Sequence, residues 1–137
     1  MGKNIYDKLI MLAEKSLKYG DVPVGAVILK NNKIISTGYN KREKENKTIN
    51  HAEIVAILKA NKKLKSYFLY DCDLYVTLKP CEMCSKVINN ARIRNVYYLT
   101  ERLETKREYD KTKYIYQQNL YTEKCQKMLQ SFFNKLR

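Results

Sequence analysis

Hydrophobic residues recur early in the chain at the spacing of one helix face: Ile5, Leu9 and Leu12, widened by Tyr6, Ile10, Ala13 and Leu17. The pattern predicts a core-facing helix from Asn4 to Tyr19, ended by Gly20-Asp21. The period then changes. Val24 to Leu29 is a continuous apolar run of strand length, and Asn31-Asn32 suits a tight turn because asparagine tolerates positive φ. Ile34-Ile35 opens a returning antiparallel strand that ends near Gly38. From Asn40 to Asn50 the chain is polar and charged, which predicts a solvated surface loop. A helix is predicted from His51 to about Lys62, with Ile54, Ile57 and Leu58 on its apolar face. A strand from Asp73 to Leu78 delivers Pro80, suited to a helix start because its missing N–H would have no partner there, and that helix runs to about Asn89. Asn95 to Thr100 reads as a strand. A last one lies near Tyr114 to Gln117, its direction open because Glu101 to Lys113 is near the minimum length of a parallel crossover. From Thr122 onward, Cys125, Met128, Leu129, Phe132, Phe133 and Leu136 repeat at helical spacing, a stripe for core or subunit interface.

At 137 residues the chain is expected to form one domain, residues 1–137, and its 45% hydrophobic content excludes a disordered polymer. Twenty-seven Lys and Arg against fourteen Asp and Glu give a net charge of +13, a field that attracts phosphate backbones or anionic surfaces and also serves solubility. No apolar run approaches the roughly 20 residues of a membrane helix, and the N-terminus lacks the apolar core of a signal peptide, so a cytoplasmic protein with no membrane partner is expected. Four cysteines in such a chain suggest a reducing compartment. Cys72 and Cys125, without partners at ligand spacing, read as buried thiols.

The other two cysteines carry chemistry. Cys81 and Cys84 stand three apart at a helix start, so both sulfurs point to one side of its first turn. With His51 they would make a three-ligand zinc site, and the chain has no second histidine and no further Cys-x-x-Cys pair to close the tetrahedron. Zinc with an open position lowers the pKa of water toward neutrality. Glu53, close to the metal but not needed as a ligand, is then the candidate to carry the proton from water to substrate. An acid in the first turn of a helix is also favoured by the macrodipole alone.

His51-Ala52-Glu53 followed by Pro80-Cys81-Glu82-Met83-Cys84 resembles the zinc-dependent nucleobase deaminases. The likeness extends through Gly20 to Val27, Gly38-Tyr39-Asn40, Leu74 to Leu78 and Leu129 to Phe133, which resemble bacterial tRNA adenosine deaminases of the cytidine/deoxycytidylate deaminase superfamily. That resemblance implies a cytidine-deaminase-like fold, a three-layer α/β/α sandwich with a mixed five-stranded sheet. It also implies one zinc ion per subunit, a homodimer, and conversion of adenosine to inosine at the wobble position of a tRNA anticodon. It places Asn40, the backbone N–H of Ala52, Pro23 and Val24 at the base, and Phe133, Lys135 and Arg137 as RNA contacts. Two departures stand out: Glu101 to Lys113 lacks the Lys, Thr and Gly segment of the family, and Lys79 stands where the family usually has Glu. Two other functions remain open: deamination of a free base, nucleoside or nucleotide such as cytidine, cytosine or guanine, and a non-catalytic, zinc-stabilised RNA-binding subunit.

Overall fold

The computed structural model describes residues 2–101 and 112–135, with side chains from residue 5 onward. Strand β1 (Gly25–Lys30) turns back into β2 (Lys33–Tyr39) through Asn31 and Asn32, both in the left-handed region at φ 52 and 64. Two such residues make the turn whose twist matches that of the strands it joins. Register shifts after Ile28, which faces Ser36 while Leu29 faces Ile34, so Ile35 is the extra residue of a bulge.

β3 (Cys72–Leu78) pairs antiparallel with β1 and parallel with β4 (Asn95–Thr100), and β5 (Lys113–Tyr116) pairs parallel with β4. The strand order is β2-β1-β3-β4-β5, a mixed five-stranded sheet. The last strand is therefore parallel, and the 102–111 segment before it, including most of the departure from the family pattern, lies outside the described residues.

Helices α1 (Gly2–Lys18) and α5 (Leu120–Lys135) cover one face of the sheet, and α3 (Ala52–Leu64) and α4 (Glu82–Asn90) cover the other. Neighbouring residues of β1 divide between them. Ala26 and Ile28 pack with Ala56, Ile57 and Ile88, whereas Val27 and Leu29 pack with Ile5, Leu9 and Leu12 of α1 and Cys125 of α5. A strand buried on both faces has no polar side to show, which is why this stretch is unbroken in the sequence. The three expected layers are present.

α3 lies close against β2 because Gly38 has no side chain: a Cβ there would overlap the Ala52 carbonyl oxygen and stand 2.8 Å from the Ala56 nitrogen. Backbone cannot yield as a flexible side chain does. Gly38→Ala is expected to destabilise the fold by about 3 kcal/mol or more, read as a lowered midpoint in urea, with His51 displaced along with α3.

Three expectations change. Leu58 is 56% exposed, because the sheet-facing side of α3 is centred on Ala52, Ala56 and Ala60, and Leu58 points away from it. The stripe on α5 is buried only at Cys125; Met128, Leu129 and Phe132 are partly covered, Phe133 is 48% exposed, and Leu136 lies outside the described residues. Within the expected loop, Arg42–Glu45 forms a single helical turn, α2, which buries no side chain and so left no periodicity to read. Cys72 and Cys125 are buried free thiols, and burial pushes Cys125 up to about 12. Among the described residues no helix is long and apolar enough to cross a membrane.

Candidate active site

His51 and Cys81 are the N-cap residues of α3 and α4, each with extended backbone. Their side chains turn toward each other. Cys84, in the first turn of α4, joins them: His51 Nδ1 is 3.3 Å from Cys84 Sγ and 3.7 Å from Cys81 Sγ. All three ligand atoms lie within 4.8 Å of one another. Zinc bound to two sulfurs at about 2.3 Å and a nitrogen at about 2.0 Å holds its ligands roughly 3.5 Å apart at tetrahedral angles, so the donor set fits.

The electrostatics agree with that fit. Two helix N-termini meet here, and their unpaired N–H groups carry partial positive charge that favours thiolates. In the metal-free chain, hydrogen bonds from Cys84 and His51 pull the Cys81 thiol down to about 3. The His51 imidazole is raised, chiefly by its hydrogen bond to Cys81, against burial, which lowers it, and with help from the Glu53 carboxylate.

Glu53, in the first turn of α3, is 4% exposed and opens onto the same cavity as His51. The cavity measures about 370 Å³. Val22, Val24, Leu78, Leu129 and Phe133 supply apolar wall, with Asp21, Asn40, Arg42 and Glu101 as polar lining. A second cavity of about 420 Å³, between Tyr70, Arg92, Arg94 and Lys113, is lined by no His, Cys, Asp or Glu among the described residues and lies at the opposite end of β4.

Asn40 ties three segments together. Its Nδ2 donates to the Val22 carbonyl at 3.0 Å, its Oδ1 accepts from the Ala52 N–H at 2.8 Å, and its own N–H donates to the Val24 carbonyl at 3.2 Å. One amide N–H and one lone pair remain for a ligand. The Ala52 N–H is thus directed to Asn40, and Ala52 and Pro23 are buried without lining the cavity. Of the four residues placed at the base, Asn40 and Val24 line it. Asn40→Ala leaves the buried Ala52 N–H without its acceptor, a loss of about 1–3 kcal/mol that thermal melting should register.

Phe133 also lines the cavity, Lys135 is exposed and does not, and Arg137 lies outside the described residues. Sequence reading missed Leu78, Leu129, Arg42 and Glu101 as cavity wall. Leu129 and Phe133 stand four apart on one helix face, a signal that also fits ordinary core. Asp21 was read only as a helix end; its carboxylate accepts the Glu43 N–H at 2.9 Å and anchors α2 beside the cavity. Lys79 has an account as well: its ammonium lies 3.5 Å from the Glu101 carboxylate and 5.2 Å from the centre of the Tyr98 ring, so the departure from the family pattern brings its own counter-charge.

Residues 2–100 match the family described as cytidine and deoxycytidylate deaminase zinc-binding region. A tRNA-specific adenosine deaminase of Streptococcus pyogenes serotype M18 is 48% identical over 86 residues, which cover 63% of this chain and 54% of that protein. The chain thus spans about half the length of the first curated relatives it matches. A tRNA-specific adenosine deaminase of Buchnera aphidicola subsp. Schizaphis graminum is 34% identical over 127 residues, covering 86% of this chain and 84% of that one. Among solved structures, one from work on A-to-I editing by tRNA:A34 deaminases at the wobble position superposes with a TM-score of 0.84 at 27% identity, covering 93% of this chain and 99% of that one. With its paired sulfurs, its imidazole and its sheet order in place, this chain belongs to the cytidine and deoxycytidylate deaminase zinc-binding family.

Proposed function

We propose that the protein hydrolyses adenosine to inosine in RNA, at the wobble position of a tRNA anticodon. The observation that carries the reading is the cluster of His51, Cys81 and Cys84, whose histidine also lines the cavity that holds buried Glu53 and the amide of Asn40. The names of the relatives and the charge of +13 support a polynucleotide substrate.

Bound by His51, Cys81 and Cys84, zinc supplies Lewis acidity that makes water nucleophilic near neutral pH. Glu53 takes a proton from the attacking water and delivers it to the ring nitrogen, and a further proton leaves with the amino group as ammonia. The sum is adenosine plus water giving inosine plus ammonia. Asn40, already fixed by Val22 and Ala52, has its spare donor and acceptor to orient the base. Val24, Leu129 and Phe133 give apolar surface for a base taken out of its stack. Arg42, at the rim, suits a phosphate.

Zinc-loaded protein incubated with tRNA bearing a wobble adenosine, then digested to nucleosides, should yield inosine. Uridine from cytidine or xanthine from guanine, with no inosine, would assign the site to a small nucleobase; no product from any of them would leave a binding subunit. Turnover of RNA should fall steeply with salt, whereas turnover of a neutral nucleoside should barely change. The reading includes a cytoplasmic homodimer of single-domain subunits, and a monomer in sedimentation at micromolar concentration would remove the dimer from it.

A further inference from the structure

Outside the cavity, a cluster of lysines surrounds Tyr39, the last residue of β2. Its ring is approached by Lys41 at 5.0 Å, by Lys15 of α1 at 5.7 Å and by Lys44 of α2 at 5.7 Å, distances from ammonium to ring centre. Lys44 also donates to the Tyr39 hydroxyl at 3.1 Å and lies 4.5 Å from the centre of the Tyr19 ring. The two tyrosine rings stack, 6.4 Å apart and 15° from parallel. Lys59 of α3 feels the same charges: burial lowers its ammonium first, and Lys41 and Lys15 lower it further. Glu45 is the carboxylate set against this group, 4.0 Å from Lys41, and it also accepts a bond from Asn50.

Three ammonium groups from α1, α2 and the residue before α2 thus converge on two phenol rings. Aromatic faces offset part of the mutual repulsion, and an anion would offset more. Protein interfaces are depleted in lysine, which argues against a protein partner. Position argues for the substrate. Tyr39 and Lys41 flank Asn40 in the chain, and Arg42 lies on the cavity rim, so the patch and the cavity share one wall.

We propose that Lys15, Lys41 and Lys44, arrayed around Tyr39 and Tyr19, bind the phosphodiester backbone of the RNA strand next to the nucleotide held in the cavity. The inference rests on the deaminase reading for the identity of the strand but is tested by binding alone. It assigns the polar 40–50 segment to substrate recognition, where its composition alone suggested a solvated connection.

The test uses zinc-loaded protein and a labelled anticodon stem-loop, titrated between about 50 and 200 mM salt. Lys15→Gln with Lys44→Gln should raise the Kd roughly tenfold and flatten the slope of log affinity against log salt by about 1.4, or 0.7 for each phosphate no longer neutralised. Lys15→Arg with Lys44→Arg should bind like the parent. Zinc content and melting temperature should be unchanged in both pairs, and where inosine forms, KM for RNA should rise while kcat holds. An unchanged Kd and slope in the Gln pair would overturn the proposal, as would a parent protein that does not bind the stem-loop. So would binding to phosphatidylserine vesicles that the Gln pair abolishes while RNA binding is untouched. Cluster-dependent RNA binding without inosine would remove the deaminase reading and leave the cluster standing.

Discussion

Glu53→Ala is expected to lower turnover by roughly 10²- to 10⁴-fold, the range of a general acid–base group, while zinc content stays at one ion per chain. The expectation follows from position. Glu53 is 4% exposed and opens on the cavity, yet the ligand cluster is formed by His51, Cys81 and Cys84 without it. Removing it should therefore stop proton transfer and spare the metal. Glu53→Gln sharpens the test, because glutamine keeps the shape and hydrogen-bonding reach but cannot accept and release a proton at neutral pH. Equal loss in both variants assigns the effect to the proton. Retained activity in the Gln variant would confine Glu53 to packing or orientation.

Removing the metal should have the second large effect, and on stability as well as activity. Cys84 is fully buried, at 0% exposure, and packs in the same cluster as Ile88, Leu78 and Ala52. Chelation or Cys84→Ser is expected to take turnover to background and to lower the melting temperature, since an ion that binds only the folded chain stabilises it. Readdition of zinc should restore both in the chelated parent and neither in the variant. Acid should act in a defined order on the metal-free protein. Cys81 sits at about 3, far below an ordinary thiol, because Cys84 and His51 bond its thiolate. A depressed thiol contributes stability that is complete above the ordinary thiol range and is lost as pH falls toward that folded value. The raised His51 contributes in the opposite sense, fully below the ordinary imidazole range, with loss as pH rises through its folded value. Thiolate absorbance should thus persist at about pH 6, more than two units below a free thiol; its disappearance there would show that the three side chains do not meet in solution.

Much of the site was legible before any coordinates. Cys81 and Cys84 share one side of a helix start by spacing alone, and with a single histidine in the chain the third ligand had one candidate. The turn at Asn31-Asn32 was likewise written locally, in residues that tolerate positive φ. The misreadings share a cause. Leu58 fits the helical period of its neighbours, but which face of α3 meets the sheet is set by how closely Ala56 and Gly38 can approach, a fact held jointly by two distant segments. Ala52 shows the same limit: its N–H belongs to Asn40, a side chain twelve residues earlier.

Periodicity, turn chemistry and ligand spacing are properties of a few adjacent residues, so every element but the single turn of α2, and the metal-binding set, were determined by sequence on its own. The direction of β5, the apolar wall made by Leu78, Leu129 and Phe133, the Lys79–Glu101 pair and the gathering of Lys15, Lys41 and Lys44 about Tyr39 were decided only by tertiary structure. Each of these depends on parts of the chain far apart in number and brought together by burying both faces of one sheet. Short-range pattern carries no record of such a meeting, because the free energy that selects it comes from the whole core.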